Sequence, residues 1–300
     1  MRISDLTLRD EMSGTLDSAQ STINQLDAQL SSGSAFQQAS DNPIAVSDSI
    51  GYQRQITQQA ANSSNATTAQ AWLGIAGSTI NQAMTTMQSA RTLVLQGLNS
   101  GANNAQSYSE MAQQVQGLLT QMVGYGNTSY GTTAIFAGTA AVAQPYSSTG
   151  AYSGNSQTFT IDVGSGSPVP VSVPGDQLFG GGTSGTQSVF TTLQNIVTDL
   201  QAGPGASSYA GLQSDLNALD GNISQAETAA TTLGQASQQV TTASSAASAT
   251  TLQVQTILTS TMSTDLPSVT TALQTDMTNY QAALYAVSQA VPETLAQFIK

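Results

Sequence analysis

The sequence lacks both cysteine and histidine, and each absence removes a class of functional sites. Without cysteine there are no disulfides and no thiolate nucleophiles or metal ligands. Without histidine there is no Ser-His-Asp or Cys-His catalysis, no histidine-ligated zinc and no histidine pH switch. The remaining residue types form no catalytic constellation and no calcium-loop motif, so we expect no catalytic residues, no metal site and no cofactor, and we predict that the protein is not an enzyme.

Charge is also scarce, and positive charge is scarcest. Only 7% of the 300 residues are charged, five of them basic, and the formal net charge is -12 at pH 7. Such a small number of basic residues can neutralise only a few phosphates. We therefore expect no nucleic-acid partner and no anionic membrane surface as a partner. The polar residues are mainly Gln, Ser, Thr and Asn, which desolvate cheaply against neighbours, and this favours a subunit of an assembly.

Long apolar runs are missing as well. No window approaches the roughly 20 apolar residues of a membrane span, so we expect no membrane insertion. The first residues lack a basic segment followed by an apolar one, which predicts that no signal peptide is cleaved.

Apolar stripes at helical spacing occupy both ends of the chain. Their residues alternate spacings of four and three, the a/d pattern of a coiled-coil seam. A seam that reaches both ends would be exposed in a monomer, so we predict that it forms an assembly interface. The predicted seam consists of Met12, Leu16, Ile23, Leu26 and Leu30 near the start, where Ala19 fills the position between Leu16 and Ile23, and of Leu273, Met277, Tyr280, Leu284 and Val287 near the end.

A predicted corner follows the N-terminal seam. Gly33 stands where a helix end favours a left-handed residue. Asn42 can accept a hydrogen bond from the first N–H groups of the next helix, and Pro43 supplies the fixed φ of its first position. The corner therefore predicts one helix before Gly33 and a second helix from Pro43.

The interior of the chain predicts further helices and a change of period. Ser107 to Glu110 has the spacing of a capping box and predicts the start of a third helix. Phe159 to Val163 and Val169 to Pro174 are rich in β-branched residues between turn residues, which is typical of short strands. Two interior seams comprise Leu73, Ala76, Ile80, Ala83, Met87, Ala90 and Val94, and then Leu212, Leu216, Leu219, Ile223, Ala226, Ala230 and Leu233.

These patterns predict a mainly α protein with a small β-rich insert, built as an elongated antiparallel helical rod from N- and C-terminal segments. We divide it into terminal assembly helices (1–42 with 265–300), disordered in the monomer, a helical rod domain (43–131 with 188–264) and an inserted β-rich domain (132–187). Trp72 has two possible roles, in the core or in a subunit contact. Asp215 and Asp220 are expected on solvated helix faces.

Several short motifs, in this order and spacing, resemble the flagellin-like axial proteins of the bacterial flagellum, and within them the proteins of the hook–filament junction. The resemblance covers essentially the whole chain. It is carried by Met1-Arg2-Ile3-Ser4, Leu30-Ser31-Ser32-Gly33, Ser40-Asp41-Asn42-Pro43, Ile135-Phe136-Ala137-Gly138-Thr139, Val173-Pro174-Gly175 and Leu178-Phe179-Gly180.

The resemblance implies a structural adaptor that is exported unfolded by the flagellar type III apparatus, with help from an export chaperone in the cytoplasm. Outside the cell it would form a short ring of its own copies between hook-associated protein 1 and the first flagellin subunits. The chain departs from this pattern at two places. Ser34-Ala35-Phe36 replaces the basic residues usual after the corner glycine, and the proline at position 292 makes the end of the chain similar to that of flagellin itself. A flagellin-type filament subunit is therefore the alternative.

Overall fold

The computed structural model describes residues 2–99, 104–180 and 187–290. In these ranges the mainly α class with a small β-rich insert is confirmed. Pro292 and the rest of the predicted terminal segment beyond residue 290 lie outside the described residues. The helices are α1 (Arg2–Ser32), α2 (Pro43–Leu98), α3 (Ala105–Gly126), α4 (Gly175–Leu178), α5 (Val189–Gln201), α6 (Ala206–Met262) and α7 (Leu266–Ala290).

Four two-residue strands form two antiparallel pairs. β3 (Thr160–Ile161) pairs with β4 (Val169–Pro170), inside the two segments predicted as strands. Pro170 has no N–H to donate, which helps to keep this ladder short. The pair of β1 (Ser129–Tyr130) and β2 (Thr133–Ala134) was not predicted, because no apolar alternation marks it.

The start of α3 differs from the prediction. Asn104, rather than Ser107, is the N-cap, and its Oδ1 accepts a hydrogen bond from the N–H of Ser107 at 2.9 Å. Asn is as good a cap as Ser, and Ser107 lies within the first turn. The predicted capping box was therefore wrong by one helical turn.

Packing divides the chain into two compact units: a first unit of residues 1–58 and 251–300, and a second unit of residues 59–250. The interior seams are confirmed as core of the second unit, where Ile80 and Leu219, for example, are completely buried. Among the described residues, Val254 is the one fully buried apolar side chain outside that unit. The first unit therefore has almost no core of its own.

Aromatic rings join the β-rich insert to the helices of the second unit. The ring centroid of Tyr146 lies 4.7 Å from that of Phe190 on α5, and within the insert it lies 5.4 Å from that of Phe179. Trp72 on α2 is 6% exposed and packs against Tyr130 and Phe159. Of the two roles open to Trp72, the structure assigns it to this core.

The predicted domain boundaries at 42/43 and 264/265 separate α1 from α2 and α6 from α7. The compact units divide elsewhere, inside α2 and α6, and the β-rich insert belongs to the second unit. The predicted boundaries separate helices that become ordered on assembly from helices that are already folded in the monomer. This division stays a prediction.

Candidate assembly interface

The predicted terminal seam lies on α1 and α7, which pack against each other within the first unit. None of its ten residues is fully buried. Eight are half-buried, whereas Met277 and Leu284 are 46% and 44% exposed. A pair of helices covers only one side of each seam, so apolar surface remains available for further contacts.

The corner is built as a left-handed turn followed by a capped helix. Gly33 has a φ of 68°, and its N–H donates to the carbonyl of Gln29 at 2.9 Å. α2 then begins at Pro43, and Oδ1 of Asn42 accepts a hydrogen bond from the N–H of Ala45 at 3.1 Å. A residue with a Cβ at position 33 would be strained, because the left-handed region disfavours L side chains.

The corner also pairs with the break between α6 and α7. The N–H of Ala35 donates to the carbonyl of Met262 at 2.7 Å, and the N–H of Thr264 donates to the carbonyl of Gly33 at 3.1 Å. Ser34 and Ser263 thereby form an antiparallel bridge. The sequence did not predict this contact, because it joins two irregular segments more than 220 residues apart.

Asp41 closes the corner from its other side. Its Oδ2 accepts hydrogen bonds from the N–H groups of Gln37 and Gln38, both at 2.9 Å. These backbone hydrogen bonds lower the pKa of Asp41 below its ordinary value, and the bond from Gln38 has the larger effect. The carboxylate therefore fixes residues 37–41 most firmly in its ionised form.

Exposed apolar side chains concentrate in the first unit. Of the eleven large apolar residues exposed in the described part of the chain, eight lie there and three, Leu95, Tyr130 and Phe159, lie in the second unit. Ile44 is 76% exposed, Leu252 66% and Tyr285 69%. A unit with almost no core that presents its large apolar side chains to solvent has the properties of an incomplete interface.

Sequence reasoning missed part of this surface. Ile44, Leu252, Leu266 and Tyr285 are exposed but lie outside the predicted seam. A two-helix seam predicts only the a and d positions, whereas a helix with several neighbours uses a wider face. The positions of Ile44 beside the corner and of Leu252 and Leu266 near the α6–α7 break are the signal that could have identified these three, whereas Tyr285, far along α7, has no such signal.

The two carboxylates expected on solvated faces have different surroundings. Asp220 forms an ion pair with Arg91, with Oδ1 and Nε 2.6 Å apart, and the two side chains are 46% and 42% exposed. Asp215 is only 5% exposed, so its predicted exposure was wrong. It shares a helix face with Leu212 and Leu219, both completely buried, and this spacing is visible in the sequence.

The described residues contain no group of three or more His, Cys, Asp or Glu residues that could hold a metal ion. None of the helices in the described part of the chain is long and apolar enough to cross a membrane. The first unit offers amide, hydroxyl and apolar groups, which suit association with other protein surfaces.

Comparison with known proteins relates the N-terminal part of the chain to a family. Residues 3–141 match the bacterial flagellin N-terminal helical region. Flagellar hook-associated protein 3 of Salmonella typhimurium is 26% identical over 186 residues. That match covers 61% of this chain and 58% of the relative, so the chain spans less than two thirds of the relative's length.

Solved structures share the fold. One is described as a flagellar hook-associated protein from Vibrio parahaemolyticus; it is 21% identical, with a TM-score of 0.67, and the match covers 74% of this chain and 99% of that one. The flagellar junction protein FlgL from Legionella pneumophila is 16% identical, with a TM-score of 0.59 and coverage of 73% and 100%. The likeness extends over nearly all of both solved chains.

Proposed function

We propose that this flagellin-like protein is a structural adaptor that joins the flagellar hook to the filament. Its residues 3–141 match the flagellin N-terminal helical region, and it has the fold of solved hook-associated proteins. On one side it contacts hook-associated protein 1, on the other the first flagellin subunits, and laterally it contacts copies of itself in a short ring. It works outside the cell and catalyses no reaction.

The contrast between the two units carries this proposal. The second unit holds nearly all of the buried apolar side chains, whereas the first unit holds most of the exposed ones. A protein that folded only for itself would lose stability by leaving such residues in water. The first unit therefore provides the assembly surface, and the second unit provides a folded body that is independent of assembly.

Assembly and ordering are coupled in this proposal. In the described part of the chain α1 and α7 pack against each other, and we predict that residues 2–42 and 265–290 are mobile in the monomer. Neighbouring subunits complete the burial of the seam. Each Leu or Ile that becomes fully buried contributes roughly 1.5–3 kcal/mol, which opposes an ordering cost of about 1–2 kcal/mol per residue.

Export through the flagellar type III apparatus fits the same properties. A chain without cysteine cannot be trapped by disulfides. Mobile terminal segments also give an export chaperone an extended surface to bind in the cytoplasm. No cleaved signal peptide is needed on this route.

A single substitution in α1, with a matched control, tests the proposal. Leu26 is half-buried in the seam, and its neighbour Gln25 is exposed on the same helix. We expect Leu26→Asp to block junction assembly and motility, whereas Gln25→Asp, with the same added charge, preserves both. The second unit stays folded in both variants, as judged by the fluorescence of Trp72.

The site of the defect distinguishes a junction protein from other flagellar components. Deletion of the gene should leave hooks intact while flagellin leaks into the medium, and wild-type protein, unlike the Leu26→Asp variant, should restore filaments. Normal filaments in the deletion strain would contradict the junction role. Loss of hooks would indicate an earlier step in assembly.

The alternative is a flagellin-type filament subunit, favoured by the match of residues 3–141 to the flagellin region. Such a subunit polymerises with itself without limit, whereas a junction protein stops at one short ring. Purified protein that elongates unaided into micrometre-long filaments would establish the alternative. Protein that stays monomeric until hook-associated protein 1 or flagellin is added would support the junction role.

A further inference from the structure

A buried carboxylate lies between α5 and α6, away from the assembly surface. Asp215 on α6 is 5% exposed, and the completely buried Leu212 and Leu219 flank it on the same helix face. Its Oδ2 is buried and has no hydrogen-bond partner in the described part of the chain. A buried ionised oxygen without a partner is costly, so this atom needs a proton or a cation to complete it.

A second carboxylate approaches from α5. The backbone of Gly211, one turn before Asp215, lies against the Asp199 carboxylate so closely that Oδ2 of Asp199 occupies the space of a Cβ atom. Only glycine allows this approach at position 211. The side chain of Asn195, one turn before Asp199 on α5, acts on Asp215 from the same side and lowers its pKa, against the larger effects of burial and of Asp199.

We propose that Asp199 and Asp215 form a proton-operated clasp between α5 and α6, which closes when Asp215 takes up a proton in mildly acidic surroundings. With both groups ionised, the carboxylates repel each other across the two helices. When Asp215 is protonated, its O–H becomes a donor to the Asp199 carboxylate, and a carboxyl–carboxylate bond is among the strong charge-assisted ones. No other bond forms or breaks, and the proton comes from solvent.

The electrostatics agree with this geometry. Burial, and then the negative charge of Asp199, raise the pKa of Asp215 from 3.8 to about 6. Burial also raises the pKa of Asp199. A carboxyl whose pKa is higher in the folded state stabilises the fold fully below its unfolded pKa, and this stability is lost as the pH rises through the folded pKa. The clasp therefore closes as the pH falls from about 6 to about 4.

No positive group in the described part of the chain forms an ion pair with Asp199 or Asp215. The single ion pair among the described residues uses Arg91 and Asp220, and Asp220 lies on α6 five residues beyond Asp215. Asp199 is the described charged group that acts on Asp215, and its carboxylate lies against Gly211, one turn before Asp215 on α6. A proton is therefore the simplest cation that can relieve the repulsion.

The clasp acts on the second unit. Asp199 lies in the last turn of α5, while Phe190 in the first turn packs against Tyr146 and Phe179 of the insert. Fixing both ends of α5 holds the insert to α6. An extracellular protein would gain from this in mildly acidic surroundings, because its folded body would become more stable there.

Urea unfolding of the purified full-length chain between pH 7.5 and 4.5 tests the clasp. We expect the unfolding equilibrium constant of the wild type to fall by between about tenfold and a hundredfold as the pH is lowered, since each unit of pKa shift corresponds to tenfold. Asp215→Asn imitates the protonated form and should remove this step. Glu227→Gln, at an exposed carboxylate of α6, should retain it.

The ¹³C carboxyl resonance of Asp215 gives a second reading that needs no variant of that residue. It should titrate near pH 6 in the wild type and at lower pH in Asp199→Asn, which removes the repelling charge. Titration of Asp215 near pH 4 in the wild type would overturn the proposal. A calcium effect would also overturn it: if calcium at pH 7.5 raised the urea midpoint of the wild type but not that of Asp215→Asn, the pair would be a metal site.

Discussion

The ring of Tyr146 lies directly on the backbone of Gly126, the last residue of α3, so that a Cβ atom at position 126 would fall 2.5 Å from Cδ2 of the ring. The next residue holds Tyr146 in place. Oδ1 of Asn127 accepts the N–H of Tyr146, and Nδ2 of Asn127 donates to its carbonyl, both at 2.8 Å. The end of α3 thus determines where the insert begins to pack.

Gly126→Ala should therefore destabilise the second unit. Overpacking of this kind typically costs about 1–3 kcal/mol, because Tyr146 is 2% exposed and cannot move aside. Urea unfolding followed by Trp72 fluorescence measures the cost. Gly117→Ala is the matched control in the same helix: a Cβ there meets open space, and we expect a gain of up to about 1 kcal/mol.

The effect of substitutions at Gly33 should depend on how well each residue tolerates the left-handed backbone conformation. A Cβ atom added at Gly33 meets no atom within 4 Å, so the backbone φ of 68° sets the cost. We expect swimming speed to decrease in the order Gly, Asn, Ala, Val, because Asn tolerates this conformation best among the substitutes and β-branched residues least. Equal speed for Asn and Val would contradict a backbone origin.

Amide exchange should separate the terminal helices from the core helices in the isolated protein. We expect protection in α1 and α7 to be at least about a hundredfold lower than in residues 66–94 of α2, because thinly packed segments open at little cost. Mass spectrometry of exchanged peptic fragments measures this difference. Equal protection would show that α1 and α7 are stable without neighbouring subunits.

The corner should become less stable in acid, whereas the clasp in the second unit should become more stable. Because the pKa of Asp41 is lowered, its contribution is present at pH values above 3.8 and is lost as the pH falls through the lowered value. The amide-proton shifts of Gln37 and Gln38 should therefore move in one step below pH 3.8. Asp41→Asn should abolish that step while the remaining amide shifts of α1 stay unchanged.

Some features followed from the sequence alone, because they depend on local chemistry. The 3.6-residue period predicted the interior helices and their buried faces, for instance Ile80 on α2 and Leu219 on α6. The residues at 159–163 and 169–174 predicted the strands that pair in the insert. The order of the short motifs predicted the flagellin-like resemblance that comparison of residues 3–141 supports.

Only the tertiary structure decided features that depend on contacts between distant segments. The bridge of Ser34 with Ser263 has no local signal, and neither does the approach of Asp199 to Gly211. The sequence shows that Asp215 shares a helix face with Leu212 and Leu219, but that this face is buried at Asp215 is seen only in the structure. Periodicity identifies which face of a helix is apolar, but burial depends on the neighbour that covers that face, and this neighbour is set by the whole fold.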